Sequence, residues 1–413
     1  MFPWQEFFQL IFQGTIQVYL QAMFWLILGI VAFQYWRMQR DQVKMFGVYG
    51  YSLWRQVLLA ALYGTVGGML ASLLLALTGV TLNQVGLGYI WPVAILLMAI
   101  NLRFMCFAYA GGLVAASCAI FGWPEVNVPQ VLALVAILHI TESILIYISG
   151  RQSDVPLILR RDDSRLVGAF NLQNFWPLPL VLLAAVTVPE ASLPAGSINM
   201  PDWWPLLPIA EIPPEGQTWL YGMIPVVAAL GYADIAVSSS PAARRRRSAL
   251  HLALYSGVLL TLALLSAHYQ WLQLFAALLS PLGHEFLIQM DNRREMRGTP
   301  RFIPPDHGVM VLETLEKSPA RMLGLKPGDI LLELDGMKVD DGFSLAQAIS
   351  LLSQEFAVSY SREGQLLAGS GRFIGGERRL GLILVPEGYE RHYAEIPRER
   401  YGLLDWLKRR WKR

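Results

Sequence analysis

The sequence predicts a polytopic α-helical membrane domain of about nine spans with its N-terminus outside. A cytoplasmic α+β domain and a basic amphipathic tail helix are expected to follow. Three observations carry this. First, 54% of the 413 residues are hydrophobic and only 15% are charged, with a mean hydropathy of +0.41, whereas soluble domains carry about a quarter charged residues. Second, residues 1–290 hold 13 basic and 13 acidic residues, while the shorter 291–413 holds 20 and 18, a step from membrane to soluble chain. Third, the basic residues of the first part fall in alternate loops. A single soluble domain, a disordered chain and a nucleic-acid binder are excluded, and no nucleic-acid partner is expected.

A helix needs about 20 mostly apolar residues to cross a bilayer. The segments meeting this are 14–36, 56–79, 83–102, 104–122, 131–149, 175–189, 219–237, 249–268 and 270–290. The sixth is short and carries Pro177 and Pro179, so a re-entrant course is the alternative there. Arg37, Arg40, Lys44 and Arg55 follow the first span, Arg103 separates the third and fourth, Arg151, Arg160, Arg161 and Arg165 follow the fifth, and Arg244 to Arg247 follow the seventh. The intervening loops have no Lys or Arg, which by the positive-inside rule puts the N-terminus outside and everything after residue 290 in the cytoplasm. The proline-rich stretch 189–218 is then an extracytoplasmic connector, with Trp203, Trp204 and Trp219 at headgroup level. Cys106 and Cys118 would sit roughly 18 Å apart along a helix, too far for a disulfide. No zinc site is expected from them, and no signal peptide precedes the first span.

Charges inside spans are costly and mark functional positions. They are His139 with Glu142, Asp234, and His284 with Glu285. His139 and Glu142, three apart, share a helix face. His284-Glu285 resembles the opening of the HExxH helix of zinc metalloproteases. Ile288 stands where the second histidine belongs, so zinc catalysis is not expected. The expectation is no metal, no cofactor and no catalytic residue. These groups are read as locking helices together, with a transport path as an alternative.

From Gly308 the pattern becomes that of a soluble domain, 307–390, joined by a linker, 291–306. Gly308-Val-Met-Val-Leu reads as a strand, Ser318-Pro-Ala starts a short helix ending at Gly324, and Ile330 to Leu334 is a strand with Asp335-Gly336 as hairpin turn. Phe343 to Ser353 is an amphipathic helix with Leu345, Ala348, Ile349 and Leu352 inward. Ala357 to Ser361 and Arg372 to Ile374 complete the strands before Arg378-Arg-Leu-Gly-Leu-Ile-Leu-Val-Pro-Glu. Over about 80 residues this resembles a bacterial PDZ domain. The resemblance implies a protein partner bound as an extended or C-terminal peptide, added as a strand. Its carboxylate would meet the turn at Leu380, Gly381 and Leu382, and Leu345 and Ile349 would form the far wall. The alternative is a core strand beside an unused groove. In the tail, 391–413, Trp406, Lys408, Arg409, Arg410, Trp411, Lys412 and Arg413 form a basic amphipathic stretch suited to anionic membrane lipid.

The layout, with His139-Ile-Thr-Glu-Ser-Ile-Leu-Ile, Leu166-Val-Gly-Ala-Phe-Asn-Leu-Gln-Asn-Phe-Trp-Pro and Leu380-Gly-Leu-Ile-Leu-Val-Pro-Glu, resembles the MinJ family of division-site placement in Gram-positive bacteria. That resemblance implies a non-enzymatic adaptor at poles and septa, between DivIVA-like and MinD-like proteins. The competing readings are a degenerate site-2-protease-like protein that binds clients without cleaving them, and a transporter.

Overall fold

The computed structural model describes residues 2–150, 154–161, 163–194, 197–209, 211–373 and 378–395. The N-terminal segment forms α1 (Trp4–Tyr19) and α2 (Ala22–Phe46), bent by 70° where the chain passes Leu20 and Gln21. The last turn of α1 tightens there into Leu20 N–H to Gln17 and Gln21 N–H to Val18 bonds, which end the α-helical ladder. The expected straight span over 14–36 is therefore broken. Four further helices are long and apolar enough to cross a membrane. In chain order, α3 (Leu53–Thr78) is followed by the shorter α4 (Leu87–Ile100) and α5 (Phe107–Phe121), then by the long α6 (Val128–Ile148). The other two long helices come later in the chain. Counting the bent pair as one, up to five segments among the described residues are long and apolar enough to cross a membrane, against the nine expected.

The expected spans 83–102 and 104–122 are replaced by a helical hairpin. Helices of 14 and 15 residues are about 21–23 Å long, short of the roughly 30 Å hydrocarbon core. Asn101 leaves the helical conformation and its side chain accepts from Arg103 N–H. Cys106 then caps α5 by accepting from Ala108 N–H. Arg103 lies at this turn and not in an end loop.

The largest departure follows α6. The chain makes β1 (Asp154–Arg160), β2 (Leu166–Pro189) and β3 (Gln217–Ala236). The expected spans 175–189 and 219–237 are thus strands of one antiparallel hairpin, in register from Phe170↔Ala236 to Pro189↔Gln217. β2 runs along α3, and several backbone groups on its outer edge find partners. Phe175 N–H donates to Tyr35 Oη (3.2 Å), Val181 N–H to Ser72 Oγ (2.8 Å) and Ala185 N–H to Asn83 Oδ1 (3.1 Å), while Leu183 C=O accepts from Leu82 N–H (2.7 Å). Pro177 and Pro179, between these donors on the same edge, have no N–H to satisfy. Away from water each backbone group needs a partner, and these bonds provide several of them. Gly64 and Gly68 let α3 approach: a Cβ would come within 2.1 Å of the Pro177 oxygen and 2.4 Å of the Pro179 oxygen. Beyond the hairpin tip, Trp204 is buried and donates its indole N–H to Ala76 C=O (2.9 Å), against its expected place among headgroups.

α7 (Pro241–Ser266) and α8 (Trp271–Arg297) complete the membrane part. The first part of the expected linker is helix, since α8 continues to Arg297 with Asp291 and Glu295 buried. Phe302, 1% exposed, then bonds to Gly168 N–H of β2. The C-terminal α+β unit contains β4 (Val309–Thr314), α9 (Pro319–Met322), β5 (Ile330–Leu334), β6 (Met337–Lys338), α10 (Gly342–Leu351), β7 (Glu355–Arg362), β8 (Gln365–Arg372) and β9 (Leu382–Leu384). The sheet order is β8-β7-β5-β4-β9, with β6 on β5. Its core joins Leu331, Leu334, Leu345, Leu352, Phe356 and Leu380, whereas Ile383 and Val385 pack into the core of the membrane part. β8 occupies 365–372, upstream of the strand expected at 372–374. The chain then returns as β10 (Ala394–Glu395), parallel to β1. The first residues of the expected tail are thus paired to the membrane part.

Candidate functional site

Two places gather the residues singled out in the sequence. The first is the β9 edge. β9 ends the sheet, with β4 as its only strand neighbour among the described residues. Period-2 alternation sends Ile383 into the membrane-side core and leaves Leu382 and Leu384 half-buried towards α10. On α10, Leu345 is buried and Ile349 is half-buried in the same cluster. Four of the predicted groove residues, Leu345, Ile349, Leu380 and Leu382, thus share one hydrophobic cluster, and Gly381 lies between the last two in sequence. Gly381 sits at φ +72°, and a Cβ there would come within 2.3 Å of Ser318 Cβ. The turn is braced by Leu315 N–H to Gly381 C=O (2.9 Å) and Ala320 N–H to Leu380 C=O (3.0 Å).

The helix that walls this edge is firmly started. Asp341 and Ser344 form a reciprocal capping box, and the Ser344 backbone N–H holds the exposed Asp341 carboxyl below its ordinary range. Glu387 accepts from Gly342 N–H (2.7 Å) and from Tyr389 Oη (2.7 Å), so the Tyr389 hydroxyl is pushed up to about 12 by that carboxylate.

The second place lies between α5, α6 and α8. His139 is 2% exposed. Its Nδ1 lies 2.7 Å from the Val135 carbonyl. A carbonyl only accepts, so the proton is on Nδ1 and the Nε2 lone pair is free. That Nε2 faces Cys106 Sγ at 3.1 Å, and His284 Nε2 lies 3.9 Å from the same sulfur. The three ligand atoms fall within 4.8 Å of one another. His284 Nδ1 is buried with no hydrogen-bond partner among the described residues. Glu285 is fully engaged: Arg103 and Gln289 (2.7 Å) donate to Oε1, and Tyr109 Oη donates to Oε2 (2.7 Å). The expected His139–Glu142 pairing is replaced, since His139 turns to Val135 and Cys106. Glu142 is half-buried on α6 and outside the ligand cluster.

Sequence reasoning paired the two histidines with acids and set Cys106 aside. The sulfur is 33 residues from His139 and 178 from His284, and no local spacing encodes that meeting. The one available signal is that all three are metal-ligating types within apolar stretches.

Asp234, near the end of β3, accepts from Arg244 (2.7 Å), Ser248 Oγ (3.0 Å) and Tyr232 Oη (3.2 Å). Arg244 also reaches Asp291 at 3.7 Å, and Arg245 pairs with Asp154. Arg244 and Arg245, expected as loop charges, are buried at 1% and 3% exposure in the first turns of α7. These pairs clamp strands to helices. Trp406, Lys408, Arg409, Arg410, Trp411, Lys412 and Arg413 lie outside the described residues.

No protein-family model matches the chain. It is 25% identical over 350 residues to the cell division topological determinant MinJ of Bacillus subtilis (strain 168), an alignment covering 80% of this chain and 83% of that protein. At this identity the match is a similarity that hints at division-site placement, short of a family assignment.

Proposed function

We propose that the chain is a non-enzymatic, multi-pass membrane scaffold of division-site placement. Its α+β unit is read as a cytoplasmic PDZ-type domain that takes an extended or C-terminal peptide as an added strand on β9. The observation that carries this is the β9 edge, which has no second strand neighbour among the described residues and lies beside half-buried Leu382, Leu384 and Ile349, on a chain similar over 80% of its length to a division determinant. Edge addition uses backbone bonds for affinity and flanking pockets for selection. The partners this reading favours are DivIVA-like and MinD-like proteins, with anionic lipid for the basic tail.

The test is co-purification of DivIVA-type and MinD-type proteins with the full chain. Ile349→Glu places a charge in the groove at a half-buried position, so the core stays intact. Capture should fall about tenfold or more, equivalent to about 1.4 kcal/mol, and septal localisation of those partners should fail. Equal capture by a folded Ile349→Glu protein removes the groove from the mechanism. Gly381→Val is the poorer test, because its Cβ would collide with Ser318. A second reading, a site-2-protease-like protein that binds clients without cleaving them, draws on the Cys106–His139–His284 convergence and on a Glu285 occupied by three donors.

A further inference from the structure

We infer that Cys106, His139 and His284 form a zinc site that fastens the α4–α5 hairpin to α6 and α8. The inference stands independently of the scaffold reading. The donor set is one thiolate and two imidazoles, which suits zinc among the common divalent ions. The spacing also fits. Bonds of about 2.3 Å to sulfur and 2.0–2.1 Å to nitrogen at tetrahedral angles put S and N about 3.6 Å apart, and the observed 3.1 and 3.9 Å straddle that value.

Three further features point to a ligand. His139 already donates Nδ1–H to the Val135 carbonyl, the outer-shell bond that fixes a metal-binding imidazole with Nε2 presented. His284 Nδ1 is buried with no partner among the described residues, so no hydrogen bond of its own holds the ring, and a ring turn that presents Nδ1 to the metal would satisfy it. Cys106 caps the N-terminus of α5, where the helix dipole lowers the electrostatic cost of a metal-bound thiolate.

The surroundings make the site a fastener. Ser280 Oγ donates to Ala108 C=O (2.8 Å), and Gly112 brings α5 against α8 so closely that a Cβ would sit 2.4 Å from Pro281 Cδ. Three protein ligands leave a fourth position for water. The neighbouring Glu285 is held by Arg103, Gln289 and Tyr109.

The full chain, purified in detergent and exchanged against excess zinc, should retain about one zinc per chain after removal of free metal. Cys106→Ser and His139→Gln should each weaken retention by more than about 100-fold, beyond the loss typical of an outer-shell change. Cys118→Ser, at the other cysteine, should leave it unchanged. Cobalt(II) added to chelator-stripped wild type should give tetrahedral ligand-field bands with a thiolate-to-cobalt charge-transfer band, absent in Cys106→Ser. The cobalt spectrum of the wild type decides the matter even if a variant fails to fold. Wild-type protein that retains less than about a tenth of an equivalent of zinc, or cobalt bound without a thiolate band, overturns the site and leaves a thiol–imidazole hydrogen bond. Equal metal loss in Cys118→Ser overturns it as well.

Discussion

Glu295→Ala should loosen the junction at which β3 becomes α7. Glu295 is 0% exposed. One of its oxygens accepts from Val237 N–H (2.8 Å), Ser238 N–H (2.7 Å) and Ser239 N–H (2.7 Å), and the other from Ser239 Oγ (3.0 Å). A hydrogen bond to a charged group contributes about 1.5–3 kcal/mol, so the four donors have a gross worth of about 6–12 kcal/mol. Water entering the space left by the side chain recovers part of this, and a net loss of about 3–5 kcal/mol is expected, the range found for breaking buried charged contacts. With an unfolding entropy of about 2.1 cal/mol/K per residue, that loss lowers the midpoint of the whole chain by roughly 3–6 °C. Glu295→Gln keeps an acceptor oxygen without the charge, and neutral bonds are about half as strong, so its drop should be distinctly smaller. The assay is thermal unfolding of the full chain in detergent. An alanine variant within about 1 °C of wild type, or a glutamine variant as damaged as alanine, would refute the reasoning.

Arg245→Met should cost about 3–5 kcal/mol in the same assay, because it leaves the Asp154 charge buried alone, the two side chains being 4% and 0% exposed. The double variant Arg245→Met/Asp154→Leu should be less damaging than Arg245→Met, and simple additivity of the two single losses would show that the pair does not act as a unit. The capping carboxylate Asp341 is held below its ordinary 3.8. A lowered folded-state value gives stability that is present above the unfolded value and is lost as pH falls through the folded one. Unfolding of the full chain should therefore show an acid-side loss below about pH 4 that Asp341→Asn diminishes, and unchanged acid sensitivity in that variant would remove Asp341 as its source.

The helices α3, α6, α7 and α8 were readable because each is a long apolar run with no competing signal. The α+β unit was readable through its turns: Asp335 and Gly336 both adopt positive φ, 46° and 77°, as a hairpin of that sequence requires. Helix α10 begins within a residue of its expected start. The β2–β3 hairpin was not readable. A strand packed on both faces is a continuous apolar run, and periodicity cannot separate it from a span. Pro177 and Pro179 were the available clue, since two prolines two residues apart share one strand edge but break a helix. The partners of the arginines were not readable either. Arg103, Arg244 and Arg245 read as loop charges, yet each finds a carboxylate on a distant element, Glu285, Asp234 or Asp154, and such partners are set by tertiary structure. The packing of Leu345, Ile349, Leu380 and Leu382 into one cluster follows from strand alternation and one helix face. The Cys106 cluster depends on three helices meeting and has no local sequence correlate.

The outer edge of β2 also bears on the order in which the protein is built. A lone strand entering lipid would expose a row of unpaired amides and carbonyls, so the hairpin cannot be delivered to the bilayer one strand at a time. Its receptor is made first. Tyr35, Gly64, Gly68, Ser72 and Asn83 all precede β2 in the chain by at least 80 residues, and together they supply the acceptors and clearances that the strand needs. The N-terminal helices act as a template on which the later hairpin is cast during synthesis. A substitution such as Ser72→Leu would then be felt in biogenesis, as chains that integrate their helices yet fail to seat the segment between residues 166 and 236.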